Sequence, residues 1–332
     1  QKESADMRAL RADRSLSQAA RVVLVAGALI MAISLGARHG FGLFLQPVSM
    51  ANGWGRETFA FAIALQNLVW GVAQPFAGAL SDRFGAMRVI LGGAILYAAG
   101  LALMAAPLGA TGFVLSAGVL IGLGLAGTTF PVVFAAISRV VPPEQRSVAM
   151  GISMAVGSFG QFAMLPITLG LIEGLGWAGA LLALSVLAAL MLPLGVAMAG
   201  DRPAGNAALS GPEQGAGEAL REAAGTRDFW LLSLGFFVCG FQVVFIGLHL
   251  PAFLADEGLS PGVATTVLAL IGLVNIAGAY FFGLWGGRRS KPWLLVWIYL
   301  GRGLLIAGFL LLPVTAASAY VFGALMGMFW LS

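Results

Sequence analysis

Apolar runs of roughly 20 residues recur along the whole chain, and this recurrence constrains the fold more than any other feature. Glycine, proline and charged clusters separate ten such runs. A run of that length can cross the roughly 30 Å hydrocarbon core of a bilayer as a helix. Only 10% of the 332 residues are charged, whereas soluble domains carry about 25%. The sequence therefore predicts an all-α membrane protein with about ten transmembrane helices, and it excludes a soluble domain.

The predicted helices and the polar segments between them divide the chain into four regions. In order, the predicted helices cover residues 22–48, 57–80, 88–106, 112–138, 147–172, 177–199, 229–254, 262–285, 292–312 and 316–332. We expect a cytoplasmic tail at 1–20, a six-helix bundle at 21–199, a cytoplasmic linker at 200–228 and a partial second bundle at 229–332.

Basic residues are concentrated in alternate gaps between the predicted helices. Cytoplasmic loops of membrane proteins carry the excess of Lys and Arg. With a cytoplasmic N-terminus, 15 of the 18 basic residues fall on the inner side, and Arg56 is on an outer loop. The net charge of +4 therefore reflects the orientation of the chain in the membrane, and nucleic acid is not an expected partner.

Two similar segments indicate an internal repeat. "GALSDRFGAMRVIL" begins at Gly78 and "GLWGGRRSKPWLLV" begins at Gly283, 205 residues later. Each has a glycine, a short basic loop and a renewed apolar run. Many transporters are built from two related halves, so this pattern predicts two parallel six-helix halves, the second incomplete.

The first of these segments also carries a family signature. The loop sequence of the major facilitator superfamily, Gly-x-Leu-(Ala/Ser)-Asp-Arg-x-Gly, is matched at Gly78, Leu80, Ser81, Asp82, Arg83 and Gly85. Ala86 and Met87 depart from the basic residues that usually follow, although Arg88 comes next. The chain thus resembles this superfamily over nearly its whole length. The resemblance implies a twelve-helix fold, so the chain would be truncated after the start of the tenth helix.

In the family this loop latches the two halves on the cytoplasmic side. By resemblance, the expected gating residues are Gly78, Asp82, Arg83, Gly85 and Arg88. The first half is also similar to the bacterial branch related to monocarboxylate and oxalate/formate porters, which has a short first outer loop with a tryptophan and a basic residue, here Trp54 and Arg56. Those porters carry a charged pair in the eighth helix, whereas this chain offers Asn275 there.

Arg38 and His39 interrupt the first predicted helix. Arg38 lies about 24 Å from the helix start, on a stripe with Ser34 and Gly42. A guanidinium has five fixed donors and suits bidentate capture of a carboxylate; alternatively, it reaches the outer interface or binds backbone carbonyls. His39 points about 100° away. It is a candidate proton carrier or, alternatively, a hydrogen-bonded packing residue.

Further polar side chains occur in helices that surround the central cavity of the family fold. Gln66, Asn67 and Trp70 share one face of the second helix, where they either line a cavity or bind a neighbouring helix. Single polar groups in later helices complete the expected substrate site: Gln161, Gln242, His249 and Asn275. Arg302, in the ninth helix, is expected to have a structural role.

Other classes of function find little support in the sequence. "GLGLAG", at 122–127, satisfies a nucleotide-binding pattern but lies within a membrane helix. Cys239 is the single cysteine, and no metal-spaced histidine pair occurs, so neither an enzyme nor a cofactor or metal site is expected.

The expected function is secondary active transport of a small organic anion, resembling a monocarboxylate, by alternating access in the bacterial inner membrane. Protons are the candidate coupling ion, and a monomer is expected. The alternatives are an exporter of neutral or amphipathic compounds, in which Arg38 would be structural, and a non-transporting membrane scaffold or sensor.

Overall fold

The computed structural model describes residues 16–200, 221–222, 224–286 and 291–330, and every regular element within them is helical. The predicted all-α class is confirmed. Most of the expected N-terminal tail and of the expected linker at 200–228 lies outside these residues.

The helices follow one another with short connections. In chain order they are α1 (Gln18–His39), α2 (Leu45–Asn52), α3 (Arg56–Phe84), α4 (Ala86–Met104), α5 (Gly109–Val114), α6 (Ile121–Thr128), α7 (Phe130–Val140), α8 (Arg146–Ala189), α9 (Met191–Ala197), α10 (Arg227–Asp256), α11 (Pro261–Gly286), α12 (Lys291–Leu311) and α13 (Ala316–Met328). A 3₁₀ segment, Gly40–Phe44, joins α1 to α2, and a π-helical turn, Leu115–Leu120, joins α5 to α6.

The number of membrane-spanning segments differs from the prediction. Within the described residues, eight helical segments are long and apolar enough to cross a bilayer, and α13, with 13 residues, is shorter than a usual span. The described residues thus have eight to nine apolar helices, fewer than the predicted count of about ten in two halves. Pro143–Ala197 is one continuous segment of 55 residues, but it contains both predicted helices, 147–172 and 177–199, because the backbone is non-helical at Gly176.

Gly176 explains why that segment has no intervening loop. A straight helix of 55 residues would measure about 80 Å, far more than a bilayer core. At Gly176 the backbone leaves the helical conformation, with φ 70° and ψ 171°. A single glycine can adopt this positive φ without a Cβ clash, so the chain changes direction at one residue.

The first segment is longer than its predicted range, 22–48. Ser17 caps α1, because its side-chain oxygen accepts a hydrogen bond from the Ala20 N–H at 3.1 Å. The helical path then continues through the 3₁₀ segment and α2 to Gly53, whose φ of 66° ends it. The change from α to 3₁₀ geometry follows His39 directly.

α1 and α8 cross so closely that their backbones are in contact. A Cβ on Gly160 would overlap the backbone of Ala32, and a Cβ on Gly36 would lie 2.7 Å from the Gly160 carbonyl oxygen. Small residues allow membrane helices to approach this closely. The crossing therefore fixes the part of α1 that leads into Arg38.

Two clusters of buried apolar side chains form the core. The larger draws mainly on α1, α3, α4 and α6–α9, and the smaller mainly on α10, α11 and α13. Leu43 of the 3₁₀ segment belongs to the smaller cluster, whereas Leu248 of α10 belongs to the larger one. Each of these two elements thus contributes a side chain to the cluster on the other side, so the 3₁₀ segment and α10 lie where the two clusters meet.

Candidate functional site

A cavity of about 30 Å³ lies between the end of α1, α3 and α10. Arg38, His39 and Gln66, three of the residues predicted for the substrate site, line it. Val243, Val244, Gly247 and Leu248 form the α10 side, and Phe41, Gly42 and Ile63 complete the lining. The volume suffices for about one water molecule. The structure therefore brings three of the predicted residues together around one cavity.

α10 approaches the first segment closely beside this cavity. A Cβ on Gly42 would overlap the Gly247 carbonyl oxygen and would lie 3.2 Å from that of Leu248. Glycine is required here because the backbone of α10 occupies the space that any side chain would need. The sequence places Gly42 on the Arg38 face but gives no indication of this partner.

Arg38 is held on one side by α3. Its Nη2 donates a hydrogen bond to Asn67 Oδ1 at 2.5 Å, and its guanidinium carbon lies 4.9 Å from the centre of the Trp70 ring, within cation–π range. Its Nε is buried and has no hydrogen-bond partner in the described structure. The guanidinium is thus oriented by neutral groups and keeps an unused donor.

On the polar face of α3, the side-chain N–H groups of Gln66, Asn67 and Trp70 each have a hydrogen-bond acceptor. Asn67 Nδ2 donates to the Ile63 carbonyl at 2.7 Å, and Trp70 Nε1 donates to Thr129 Oγ1 at 3.1 Å. Gln66 Nε2 donates to the Ala117 carbonyl at 2.7 Å. These bonds hold the amides and the indole in fixed orientations. Gln66 thus both binds the Leu115–Leu120 turn and lines the cavity, whereas Asn67 and Trp70 are not among the lining residues.

His39 faces a different neighbour from Arg38. Its side chain is buried, and the ring interacts with the backbone of Leu268 in α11. Its Nε2 is buried without a partner among the described atoms. The two adjacent residues therefore contact α3 and α11 respectively, as a 100° rotation between neighbours on a helix implies.

Four further residues predicted for the substrate site do not line this cavity. Gln242 of α10 accepts a hydrogen bond from Arg302 at 3.5 Å, and His249 packs its ring 4.9 Å from that of Phe245. Asn275 is buried in α11, and Gln161 is partly buried in α8. None of these four lines the cavity. Among the described residues, no group of three His, Cys, Asp or Glu could hold a metal ion.

Arg302 is 2% exposed and links α12 to α10 and to the residues that follow α13. Its Nε donates to the Phe329 carbonyl at 2.6 Å and its Nη2 to the Trp330 carbonyl at 2.7 Å. Its Nη1 lies 3.3 Å from Cys239 Sγ. These contacts are those of a structural arginine.

We expect Arg302→Lys to lower the thermal unfolding temperature by several degrees. A single ammonium cannot reproduce the planar fork that serves two carbonyls, and a buried group left unpaired costs about 1–3 kcal/mol. The measurement is thermal unfolding of the purified protein in detergent. Arg21→Lys, at an exposed site near the start of α1, is the matched control. An unchanged unfolding temperature in Arg302→Lys would show that these bonds contribute little.

The predicted gating residues surround the connection between α3 and α4. Gly85 ends α3 with φ 85° and ψ 149°, a conformation that favours glycine. Asp82 Oδ1 accepts a hydrogen bond from Arg139 Nη1 at 2.9 Å, and Arg139 Nη2 donates to Ser81 Oγ at 3.1 Å. Arg139 of α7 is therefore the arginine that pairs with Asp82, and the sequence did not single it out.

The remaining gating residues have other surroundings. Arg83 lies with its guanidinium carbon 5.2 Å from the centre of the Phe84 ring. Arg88 is exposed and borders an apolar groove between α3, α4 and α6. A Cβ on Gly78 would lie 3.8 Å from Pro131, which is ordinary contact. Neither Arg83 nor Arg88 forms an ion pair with Asp82 in the described structure.

A second ion pair joins the start of α3 to the end of α10. Arg56 Nη1 and Nη2 donate to the two carboxylate oxygens of Asp256 at 2.6 and 2.7 Å. Both side chains are about half exposed, at 46% and 50%, so the pair is partly screened by solvent. The contact links residues 200 positions apart in the chain.

Comparisons with known proteins agree with this architecture. Residues 22–332 match the family model described as Major Facilitator Superfamily. Monocarboxylate transporter 13 of Bos taurus is 27% identical over 289 residues, covering 86% of this chain and 66% of that protein. The uncharacterized MFS-type transporter YhjX of Escherichia coli is 24% identical over 279 residues, covering 82% and 68%.

The fold has a solved counterpart as well. The inward-facing, unoccupied structure of a bacterial homologue of the human lysosomal transporter Spinster superposes with a TM-score of 0.73 at 19% identity, covering 95% of this chain and 73% of that one. Similarity at this identity concerns the fold alone. The chain spans 59–66% of the length of the monocarboxylate transporters that it matches.

Proposed function

The chain belongs to the major facilitator superfamily, and on this premise we propose that it moves a small organic anion across the bacterial inner membrane by alternating access. Arg38 is the proposed anchor for the carboxylate of that anion. The observation that carries the proposal is the buried, unpartnered Nε of Arg38 at a cavity between helices. Ionisable groups inside a membrane bundle are costly and usually mark a substrate or ion path.

The neutral surroundings of Arg38 support an anionic ligand. No Asp or Glu pairs with Arg38 within the part of the chain that the structure describes. Its partners are an amide and an indole, which orient the guanidinium without cancelling its charge. A carboxylate would supply charge-assisted hydrogen bonds, which are stronger than those between neutral groups.

The contacts of Arg38 favour this role over the alternatives left open by the sequence. The guanidinium donates a hydrogen bond to the Asn67 side chain of α3, not to a backbone carbonyl. A snorkelling arginine would instead extend towards the membrane surface. Arg38 is therefore positioned as a fixed donor between helices.

Two ion pairs are proposed to control access to the cavity. By the positive-inside rule, Asp82–Arg139 is assigned to the cytoplasmic side, together with the loop residues Gly78, Arg83, Gly85 and Arg88. Arg56–Asp256 is then assigned to the outer side, with the N-terminus inside. His39 is preferred to His249 as proton carrier, since only His39 lines the cavity.

Reconstitution into liposomes tests the proposed function. We expect saturable uptake of labelled monocarboxylates and mutual competition among carboxylates. An inward proton gradient is expected to raise the initial rate at least twofold. A rate that ignores the gradient removes proton coupling but leaves anion transport intact. Uptake of neutral compounds with no carboxylate flux would favour the exporter, and no flux of either kind would favour a scaffold or sensor.

A further inference from the structure

A groove between α3, α4 and α6 has a volume of about 540 Å³ and an apolar lining with a single charged residue. α3 contributes the exposed side chains of Phe76, Leu80 and Phe84. α4 and α6 contribute several glycine and alanine residues, and a Cβ on Gly92 of α4 would meet nothing within 4 Å. Pockets that bind small molecules have volumes of about 300–1,000 Å³. The groove therefore has room for a ligand with an apolar body.

The groove extends along about half the thickness of a bilayer core. Its lining runs from Ala73 to Phe84 on α3 and from Arg88 to Leu96 on α4, which corresponds to about 16 Å and about 12 Å at a helical rise of 1.5 Å per residue. A hydrocarbon core is about 30 Å thick, so one leaflet accounts for about 15 Å. Phe84 is the last residue of α3 and Arg88 lies in the first turn of α4. One end of the groove is thus near the membrane surface, and its length fits an acyl chain of one leaflet.

Positive charge is concentrated at that end of the groove. Arg88 is the charged residue of the lining, and it forms no ion pair among the described residues. The Arg83 guanidinium carbon lies 5.2 Å from the centre of the Phe84 ring, so a second cation borders the same end. Asp82, the acidic residue nearest in sequence, already accepts a hydrogen bond from Arg139 at 2.9 Å. A ligand with a negative group at this end would therefore be attracted.

We propose that the groove binds an anionic phospholipid of the cytoplasmic leaflet, with one acyl chain between α3, α4 and α6 and the phosphate group at Arg88. Arg88 is on the side that the positive-inside rule assigns to the cytoplasm, and basic pockets between membrane helices on that side bind anionic headgroups. Each buried CH₂ group of the chain adds to the affinity, and a guanidinium forms charge-assisted hydrogen bonds with phosphate. This site is separate from the Arg38 cavity, so it does not depend on the proposed substrate.

Native mass spectrometry of the full chain, released from detergent micelles, tests this site through the binding constant of the first lipid. The two lipid probes have identical dioleoyl chains: phosphatidylglycerol is anionic, and phosphatidylethanolamine has no net charge. We expect phosphatidylglycerol to bind about fivefold more tightly or better, since one basic side chain near an anionic headgroup contributes about that factor. Glycerol 3-phosphate, which has the phosphate but no acyl chain, should not displace it. This comparison needs no variant.

Two variants separate the contributions of the groove and of the charge. Gly92→Leu places a side chain in the groove, and we expect the affinity for both lipids to fall about tenfold or more, because CH₂ groups of the acyl chain lose their contacts. Gly71→Leu, at another open glycine position but outside the groove lining, is its matched control and should bind as the wild type does. Arg88→Gln should bring the ratio of the two affinities to about one, whereas Arg21→Gln should keep the wild-type ratio.

Several outcomes would overturn the inference. Equal affinities of the wild-type protein for the two lipids would show that the site does not distinguish headgroup charge. Wild-type affinity in Gly92→Leu would place the bound lipid elsewhere. Displacement by glycerol 3-phosphate would indicate a site for phosphate alone, and a complex of two chains without bound lipid would assign the groove to a second copy of the protein. None of these results bears on anion uptake, which is measured separately.

Discussion

Replacing Arg38 by glutamine is expected to reduce kcat/KM for anion uptake at least a hundredfold. The substitution removes the one charged group that lines the cavity apart from the titratable His39. Charge-assisted hydrogen bonds are worth about 1.5–3 kcal/mol each, and about 1.4 kcal/mol corresponds to a factor of ten. Losing two bonds to a carboxylate therefore costs about two orders of magnitude. Initial rates in liposomes measure the effect.

Two further variants separate charge from geometry at this position. Arg38→Lys keeps the charge but loses Nε and the planar fork, so an intermediate loss of about tenfold is expected. Arg21→Gln, at an exposed position on the same helix, should leave uptake unchanged. Wild-type uptake in Arg38→Gln, with an unaltered unfolding temperature, would assign Arg38 a purely structural role and remove the anion proposal.

The largest effect on stability is expected for Gly160→Val. A Cβ at Gly160 would overlap the backbone of Ala32, so no side-chain rotamer can relieve the clash. Overpacking usually costs about 1–3 kcal/mol, and separating two helix backbones should place this variant at or above the upper end. We expect a fall of more than about 5 °C in the unfolding temperature and a smaller yield of monodisperse protein.

Gly170→Ala provides the comparison within the same helix. A Cβ at Gly170 meets nothing within 4 Å, and alanine favours a helix over glycine by about 1 kcal/mol. Its unfolding temperature should therefore equal or exceed that of the wild type. If Gly160→Val unfolded at the wild-type temperature, α1 and α8 would have to be packed more loosely than the structure shows.

Helix positions were predictable because the bilayer imposes a length and an apolar composition. The second predicted helix, 57–80, corresponds to α3, Arg56–Phe84. The predicted break between residues 172 and 177 likewise coincides with Gly176, where the backbone is non-helical. The pattern does not show that a single glycine, with no polar loop, makes this break, because apolar composition carries no information on backbone dihedrals.

The candidate site was predictable in part for a related reason. Arg38 and the α3 amides are anomalous in an apolar run, so composition alone drew attention to them. The backbone groups that complete the site, the carbonyls of Ala117 and Gly247, carry no sequence signal. Arg139 was overlooked because an arginine at the end of a predicted helix is typical of any inner loop.

Arg38 is attached to α3 alone among the helices around the cavity. Its hydrogen bond to Asn67 and its cation–π contact with Trp70 do not involve α10, whose backbone meets the first segment at Gly42. Withdrawal of α10 would thus open the site without disturbing the guanidinium. The guanidinium would then keep one orientation before and after such a movement, so α3 serves as the fixed part of the cavity and α10 as the part that can be displaced.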